Sequence, residues 1–306
     1  MTTQTQAQER VQPRMVTQPR RQFSREDIEN RIAGVLKVIL ILFFFVMTAF
    51  PFYWMVVMSV RDVQAVLREP TRLLPTLDEI ANFTSAYEGV LEQFRFGIFI
   101  RNSLTVSLLV VFFTLLLAIP GAYAVTRLQF RLKNMMSWGI LLVYLFPAIV
   151  IGIPLFVVYS RLGLQGSLPG IVVVYMSGTL PVALYMLRSY FQTIPAELEE
   201  AALIDGCSRV AIIWRIVMPL SVPAVASVAL YTFMIAWNEL LFAILFLTAF
   251  PNNWTLPLGL MQLDTQEVPR TFLMAGSVII TVPVIVLFFF FERFLTRGLT
   301  AGAVKG

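Results

Sequence analysis

One carboxylate, Glu239, lies deep in an apolar run of the sequence, within Ala236-Trp-Asn-Glu-Leu240. In a membrane an ionisable group at that depth costs about 2.5–3.5 kcal/mol on insertion scales, so it faces protein or a water-filled cavity. An indole beside an amide and a carboxylate suits a polyhydroxylated solute, whose C–H faces stack on rings while its hydroxyls bond to the polar groups. A structural hydrogen bond from Glu239 to a neighbouring helix fits the same pattern. Trp237, Asn238 and Glu239, with Tyr175, Ser177 and Tyr231 in nearby apolar runs, are therefore candidates for the wall of a solute pathway, each with helix packing as its alternative. Much chemistry is excluded. There is no histidine and a single cysteine, Cys207, so imidazole catalysis, an internal disulfide and multi-cysteine metal sites are absent. None of the lysines (Lys37, Lys133, Lys305) sits in a phosphate-binding glycine loop. No catalytic or metal-binding set is expected, and no cofactor on this chain.

The elements that must position these residues are membrane helices. The chain has 306 residues, 58% of them hydrophobic and 13% charged. Its mean hydropathy is +0.78. Soluble domains carry about a quarter charged residues. Six stretches reach the roughly 20 apolar residues that a crossing needs: Val35–Val60, Leu104–Thr126, Met136–Tyr159, Gly170–Leu187, Val222–Leu247 and Phe272–Leu295. An even number puts both termini on one side. With the termini inside, the inner segments hold sixteen Lys and Arg and the outer segments seven, which favours cytoplasmic termini. The expected class is an all-α polytopic membrane protein. Residues 1–33 read as a disordered cytoplasmic tail, 34–295 as the transmembrane domain and 296–306 as a cytoplasmic tail. An external loop at 61–100 carries turn signals at Pro70 and Pro75 and apolar positions at Leu77, Ile80 and Phe83, suggesting a small helical cap.

The cytoplasmic loop at 189–221 is too long and too patterned for a simple turn. Pro195 suits a first helical turn, and Glu197, Glu199 and Glu200 follow at the positive end of the helix dipole. Gly206 can take the left-handed conformation that ends a helix, Ser208 can cap the next helix, and Pro219 closes it. Two short helices with a corner between them result, a knob whose Ala201 and Ala202 admit close approach by another protein. An amphipathic helix lying on the headgroups has the same outline.

The spacing in this loop resembles the EAA loop of ATP-binding-cassette importer permeases: Glu200-Ala201-Ala202, two residues, Asp205-Gly206, nine residues, Ile216, two residues, Pro219. Met218 stands where that family usually has leucine. Arg101-Asn-Ser-Leu-Thr-Val-Ser, Ala122-Tyr-Ala-Val-Thr-Arg127 and Ala236-Trp-Asn-Glu-Leu240 are similar to the carbohydrate subfamily. So is the terminal Gly298-Leu-Thr-Ala-Gly-Ala-Val-Lys-Gly306, which looks like that of the second permease subunit of maltose-type systems. The resemblance implies the type I importer permease fold with six transmembrane helices. It also implies a non-catalytic subunit in a bacterial or archaeal cell membrane, forming half of a pathway for a sugar, polyol or glycerol 3-phosphate. The implied partners are a second permease in a heterodimer, two ATPase subunits that carry ATP and Mg, and an extracytoplasmic solute-binding protein. No nucleic acid is implied. Glu200, Ala201, Ala202, Asp205, Gly206, Ile216 and Pro219 would couple to the ATPase, with Asp205 bracing the corner. Gly298, Leu299, Thr300, Ala301 and Gly302 would reach between the ATPase subunits. The outer loop from Thr248 to Thr271 would meet the delivered solute.

Two other classes remain. An ion-coupled secondary transporter would show several intramembrane carboxylates or repeated broken helices, where this sequence has Glu239 and no clear repeat. A membrane-embedded enzyme would need a nucleophile, base or metal cluster that these spans lack.

Overall fold

The computed structural model describes residues 25–131, the positions 133, 135 and 139, and 147–303. Every regular element among them is helical. The chain forms two compact units, residues 1–52 and 53–306. Helix α1 (Arg25–Val60) begins in the first unit. Its apolar side chains from Ile32 to Phe45 are exposed, and the span has a mean hydropathy of 2.6, a surface suited to lipid. The expected disordered tail lies outside the described residues up to 24, but 25–33 is helical.

In the second unit a cap of three short helices follows: α2 (Val63–Arg68), α3 (Leu77–Ala81) and α4 (Thr84–Glu92). A helical cap was expected, but its apolar positions do not make its interior. Leu77, Ile80 and Phe83 are exposed, whereas Arg61 and Glu79 are buried. Arg61 donates through Nη1 to the carbonyl of Arg72 (3.2 Å) and through Nη2 to those of Glu69 (2.7 Å) and Ala65 (3.1 Å). Arg72 Nη2 grips both oxygens of Glu79, which also receives the Thr76 N–H at 2.7 Å in a capping box. Charge and directed bonds close the cap around Arg61 and Glu79, while Ala86 and Val90 of α4 pack into the apolar cluster with Phe96 and Phe99.

The bundle is built on α5 (Phe96–Arg127), α6 (Ala148–Arg161), α7 (Leu168–Phe191), α11 (Val222–Asn238) and α14 (Arg270–Ala303). Four helices among the described residues, α1, α5, α7 and α14, are long and apolar enough to span a membrane singly. The expected third span lies partly outside the described residues, and α6 is its described end.

Two expectations change. Helix α5 starts at Phe96, not Leu104, and its 32 residues reach about 48 Å, past a hydrocarbon core of about 30 Å. The fifth span is broken: α11 stops at Asn238, and α12 (Leu241–Leu247) resumes after Glu239 and Leu240. Glu239 itself causes the resumption, accepting from the N–H groups of Phe242 (2.9 Å) and Ala243 (3.2 Å). Its carboxylate supplies the cap that the first turn of an apolar helix lacks.

Candidate functional site

The cytoplasmic loop folds as its punctuation dictates. Helix α8 (Ala196–Ile204) follows Pro195, and Gly206 adopts φ +82°. The turn is closed by Cys207 N–H to the Ala202 carbonyl at 2.9 Å and Gly206 N–H to that of Leu203 at 3.1 Å. A side chain at Gly206 would meet no neighbour within 4 Å, so its backbone conformation is what calls for glycine there. Ser208 then caps α9 (Arg209–Ile212), its Oγ accepting from the Ala211 N–H at 3.3 Å.

The second arm runs from Arg209 to Leu220, ending one residue past Pro219. A π turn, Ile213–Val217, carries α9 into α10 (Met218–Leu220), which meets α11 at an 83° bend. In a regular helix the ring of Pro219 would press on the carbonyl four residues back. The widened turn ends just before it, with Met218 N–H bonded to Ile213 O. Ser221 sits at the bend, its N–H shared between the carbonyls of Val217 (2.9 Å) and Met218 (3.0 Å).

The corner has two faces. Outward stand Glu200, Ala201, Leu203, Asp205 and Gly206, with Ile204 87% exposed at the tip and Val210 and Trp214 exposed beyond it. Apolar side chains projecting among a few carboxylates form a ridge suited to a protein groove. Inward, Ala202, Ile212 and Val217 pack against Ala118, Tyr123, Leu187, Phe191 and Ile194 of the bundle. Ile216 is half-buried against the same cluster, and Pro219 is exposed. Asp205 is the C-terminal residue of the first arm, with its backbone N–H on the Ala201 carbonyl and its side chain exposed.

Glu199 also faces inward and is buried. Its Oε2 accepts from the Tyr123 hydroxyl (2.9 Å) and its Oε1 from Arg127 Nε (2.8 Å). Arg127 Nη2 donates to the carbonyls of Phe191 (3.1 Å) and Ile194 (2.6 Å). Sequence reasoning grouped Glu199 with the other dipole-facing glutamates. Its spacing of three from Ala202 puts both on one helix face, but Ala202 was expected to meet another protein and instead packs on the bundle, taking Glu199 inward with it.

The residues named for a pathway divide differently. Trp237 is 1% exposed, stacks on Phe233 (5.4 Å between centroids) and donates through Nε1 to the Ile280 carbonyl at 2.9 Å. Tyr175 is buried, its hydroxyl 3.4 Å from the Glu239 carbonyl. Asn238 and Ser177 are exposed, and Tyr231 is half-buried. Helix α14 continues to Ala303, so the backbone of residues 298–302 is helical. Residues 304–306 lie outside the described residues.

The outer loop is tethered to the head of α5. Asn102 Nδ2 donates to the carbonyls of Asn252 (2.9 Å) and Trp254 (3.0 Å), and Ser103 Oγ accepts from the Leu256 N–H (2.6 Å). Helix α13 (Leu256–Met261) packs so closely that a Cβ on Gly259 would collide with the buried Phe99 ring.

Comparison with known proteins agrees with this geometry. The family model described as binding-protein-dependent transport system inner membrane component matches residues 111–301. The inner membrane ABC transporter permease protein YcjP of Escherichia coli K12 is 38% identical over 86% of this chain and 93% of its own length. The trehalose/maltose transport system permease protein MalG of Thermococcus litoralis is 35% identical over 92% of this chain and 99% of its own. Among solved structures, a bacterial ABC transporter involved in import of the acidic polysaccharide alginate matches with a TM-score of 0.76 at 26% identity, covering 89% of this chain and 98% of that one.

Proposed function

The chain belongs to the family of binding-protein-dependent transport system inner membrane components, and from that premise we propose that it is one permease of an ATP-driven importer of a carbohydrate or related solute. It forms half of the translocation pathway beside a second, different permease, in a bacterial or archaeal cell membrane with both termini cytoplasmic. Two ATPase subunits bind and hydrolyse ATP with Mg, and a solute-binding protein delivers cargo from outside. The carbohydrate class is supported by relatives named for trehalose and maltose and by the neighbour that imports alginate.

The observation that carries the coupling role is the two-faced corner, with exposed Ile204 and Glu200 outside and buried Ala202 and Glu199 inside. The outer ridge, with Glu200, Ala201, Asp205 and Gly206, docks on the ATPase, and Gly298–Gly302 at the end of α14 reach the same subunits. Ala202, Ile216 and Pro219 hold the ridge at its angle. When ATP closes the ATPase pair, the ridge follows, and the pathway alternates between outward and inward openings. In this reading Asn238, Ser177 and Tyr231 touch solute, with Trp237, Tyr175 and Glu239 shaping the wall behind them. An ion-coupled transporter has less support, because the Glu239 carboxylate is engaged by two backbone N–H groups of α12.

The cargo is tested by uptake of labelled disaccharides, longer oligosaccharides, polyols and glycerol 3-phosphate in cells with and without this chain. Loss of uptake of one of these classes is the expected result. Unchanged uptake of all of them, with loss of an amino acid or an ion instead, overturns the carbohydrate reading.

A further inference from the structure

Resting on the coupling reading above, we infer that Glu199 and Arg127, with Tyr123, are the joint that passes movement of the corner into the membrane bundle. Three helices meet at this point. Tyr123 and Arg127 come from the C-terminal end of α5, Glu199 from α8, and the carbonyls of Phe191 and Ile194 from the end of α7 and its link to α8.

A fold staple at this place needs no charge. Ala202 and Ile212 already pack against α5 and α7 in the same cluster, and a buried carboxylate carries a desolvation cost that apolar packing avoids. Directed, charge-assisted bonds do what apolar contacts do not: they fix one register between two helices and resist sliding. Arginine suits the task because its planar fork reaches the carboxylate through Nε while Nη2 reaches two carbonyls, a geometry that lysine lacks. Glu200, next in sequence, is exposed on the opposite face. A push on the outer face of α8 is thereby delivered to α5 through directed bonds as well as through the apolar packing around them. Glu199 and Arg127 are positioning residues and touch no solute.

The test uses the assembled transporter with its ATPase subunits and second permease, in a Cys207→Ser background with Ser177→Cys as reporter. Labelling of the new thiol by a biotin maleimide is measured before and after trapping with ATP and vanadate, and trapped nucleotide is measured on the same samples. With the native joint, trapping changes the labelling rate at least fivefold. In Glu199→Gln, Arg127→Lys and the double variant, the ATPase still co-purifies and traps nucleotide, but labelling changes less than twofold, and the double is no worse than either single. Labelling that responds fully in the single variants overturns the joint. Loss of the ATPase from all three also overturns it, since the pair would then be holding the loop's fold. No response with the native joint defeats the coupling reading itself, an outcome distinct from either.

Discussion

Glu199 and Glu200 are adjacent in sequence and face opposite ways: Glu199 is buried on Arg127 and Tyr123, while Glu200 is exposed on the outer ridge of the corner. One short helix thus presents a carboxylate to the bundle and another to whatever docks outside. That division makes the loop a connector and not a surface ornament, and it sets what each substitution should do.

At the corner, replacement of Gly206 isolates backbone strain from crowding, because its surroundings are open and its φ is +82°. Left-handed backbone costs an ordinary L-residue about 1–2 kcal/mol, with asparagine tolerating it best. Transport activity in membranes is expected to rank Gly, then Gly206→Asn, then Gly206→Ala. Equal activity of the alanine and asparagine variants would contradict this account of the corner.

Trp237 is expected to act on stability. Trp237→Phe keeps the ring stack on Phe233 but loses the indole N–H bond to the Ile280 carbonyl, at a cost of about 0.5–1.5 kcal/mol. Trp237→Ala empties a buried site and costs about 3–5 kcal/mol. Thermal unfolding in mild detergent orders the three proteins. A change in KM for the solute with unchanged unfolding temperature would place the ring in direct contact with cargo instead.

The outer loop is expected to loosen when its tether is cut. Asn102→Ala removes two bonds to the loop carbonyls and Ser103→Ala the acceptor for Leu256 N–H. Limited proteolysis from the outer side is predicted to cleave within residues 248–256 at least several-fold faster in the double variant. An unchanged cleavage rate would show that the close packing of Gly259 on Phe99 suffices to hold the loop.

The external cap carries a pH dependence of known sign. Burial of Glu79 raises its pKa, but the Thr76 N–H, Arg72, the Thr76 hydroxyl and Arg61 together bring it below its ordinary value of 4.5. A carboxylate with a lowered folded pKa contributes stability that is fully present above the unfolded value and lost as pH falls through the folded one. Amide protection in residues 62–92, corrected for the intrinsic pH dependence of exchange, should therefore be constant at neutral pH and fall below about pH 4.3. Glu79→Gln should exchange faster at neutral pH and lose most of that acid dependence. A cap equally protected at pH 3 and pH 7 would contradict this.

Much of this architecture was legible because apolar length and punctuation are local properties. The corner is the clearest case: Gly206 and Ser208 have the backbone and capping roles their types imply, and the spacing from Glu200 to Pro219 marked the loop. Three features were not legible. The break at Glu239 was hidden because an apolar window averages over one carboxylate, and its bonds to Phe242 and Ala243 exist only once α12 starts. The inward turn of Glu199 depends on which face of α8 lies against α5 and α7, which apolar content along the chain does not report. The cap was read from Leu77, Ile80 and Phe83, but Arg61 and Glu79 fill its interior, and pairing across eighteen positions leaves no periodic trace.

The central claim is that this chain takes its energy from an ATPase through the corner, and co-purification tests it most directly. The tagged chain is isolated in mild detergent as wild type and as Gly206→Pro, which removes the left-handed turn because proline fixes φ near −65°. The account predicts that ATPase subunits accompany the wild type and are lost from the variant, while the second permease stays with both. A wild-type chain that purifies without any ATPase, and supports solute uptake without ATP, would contradict it.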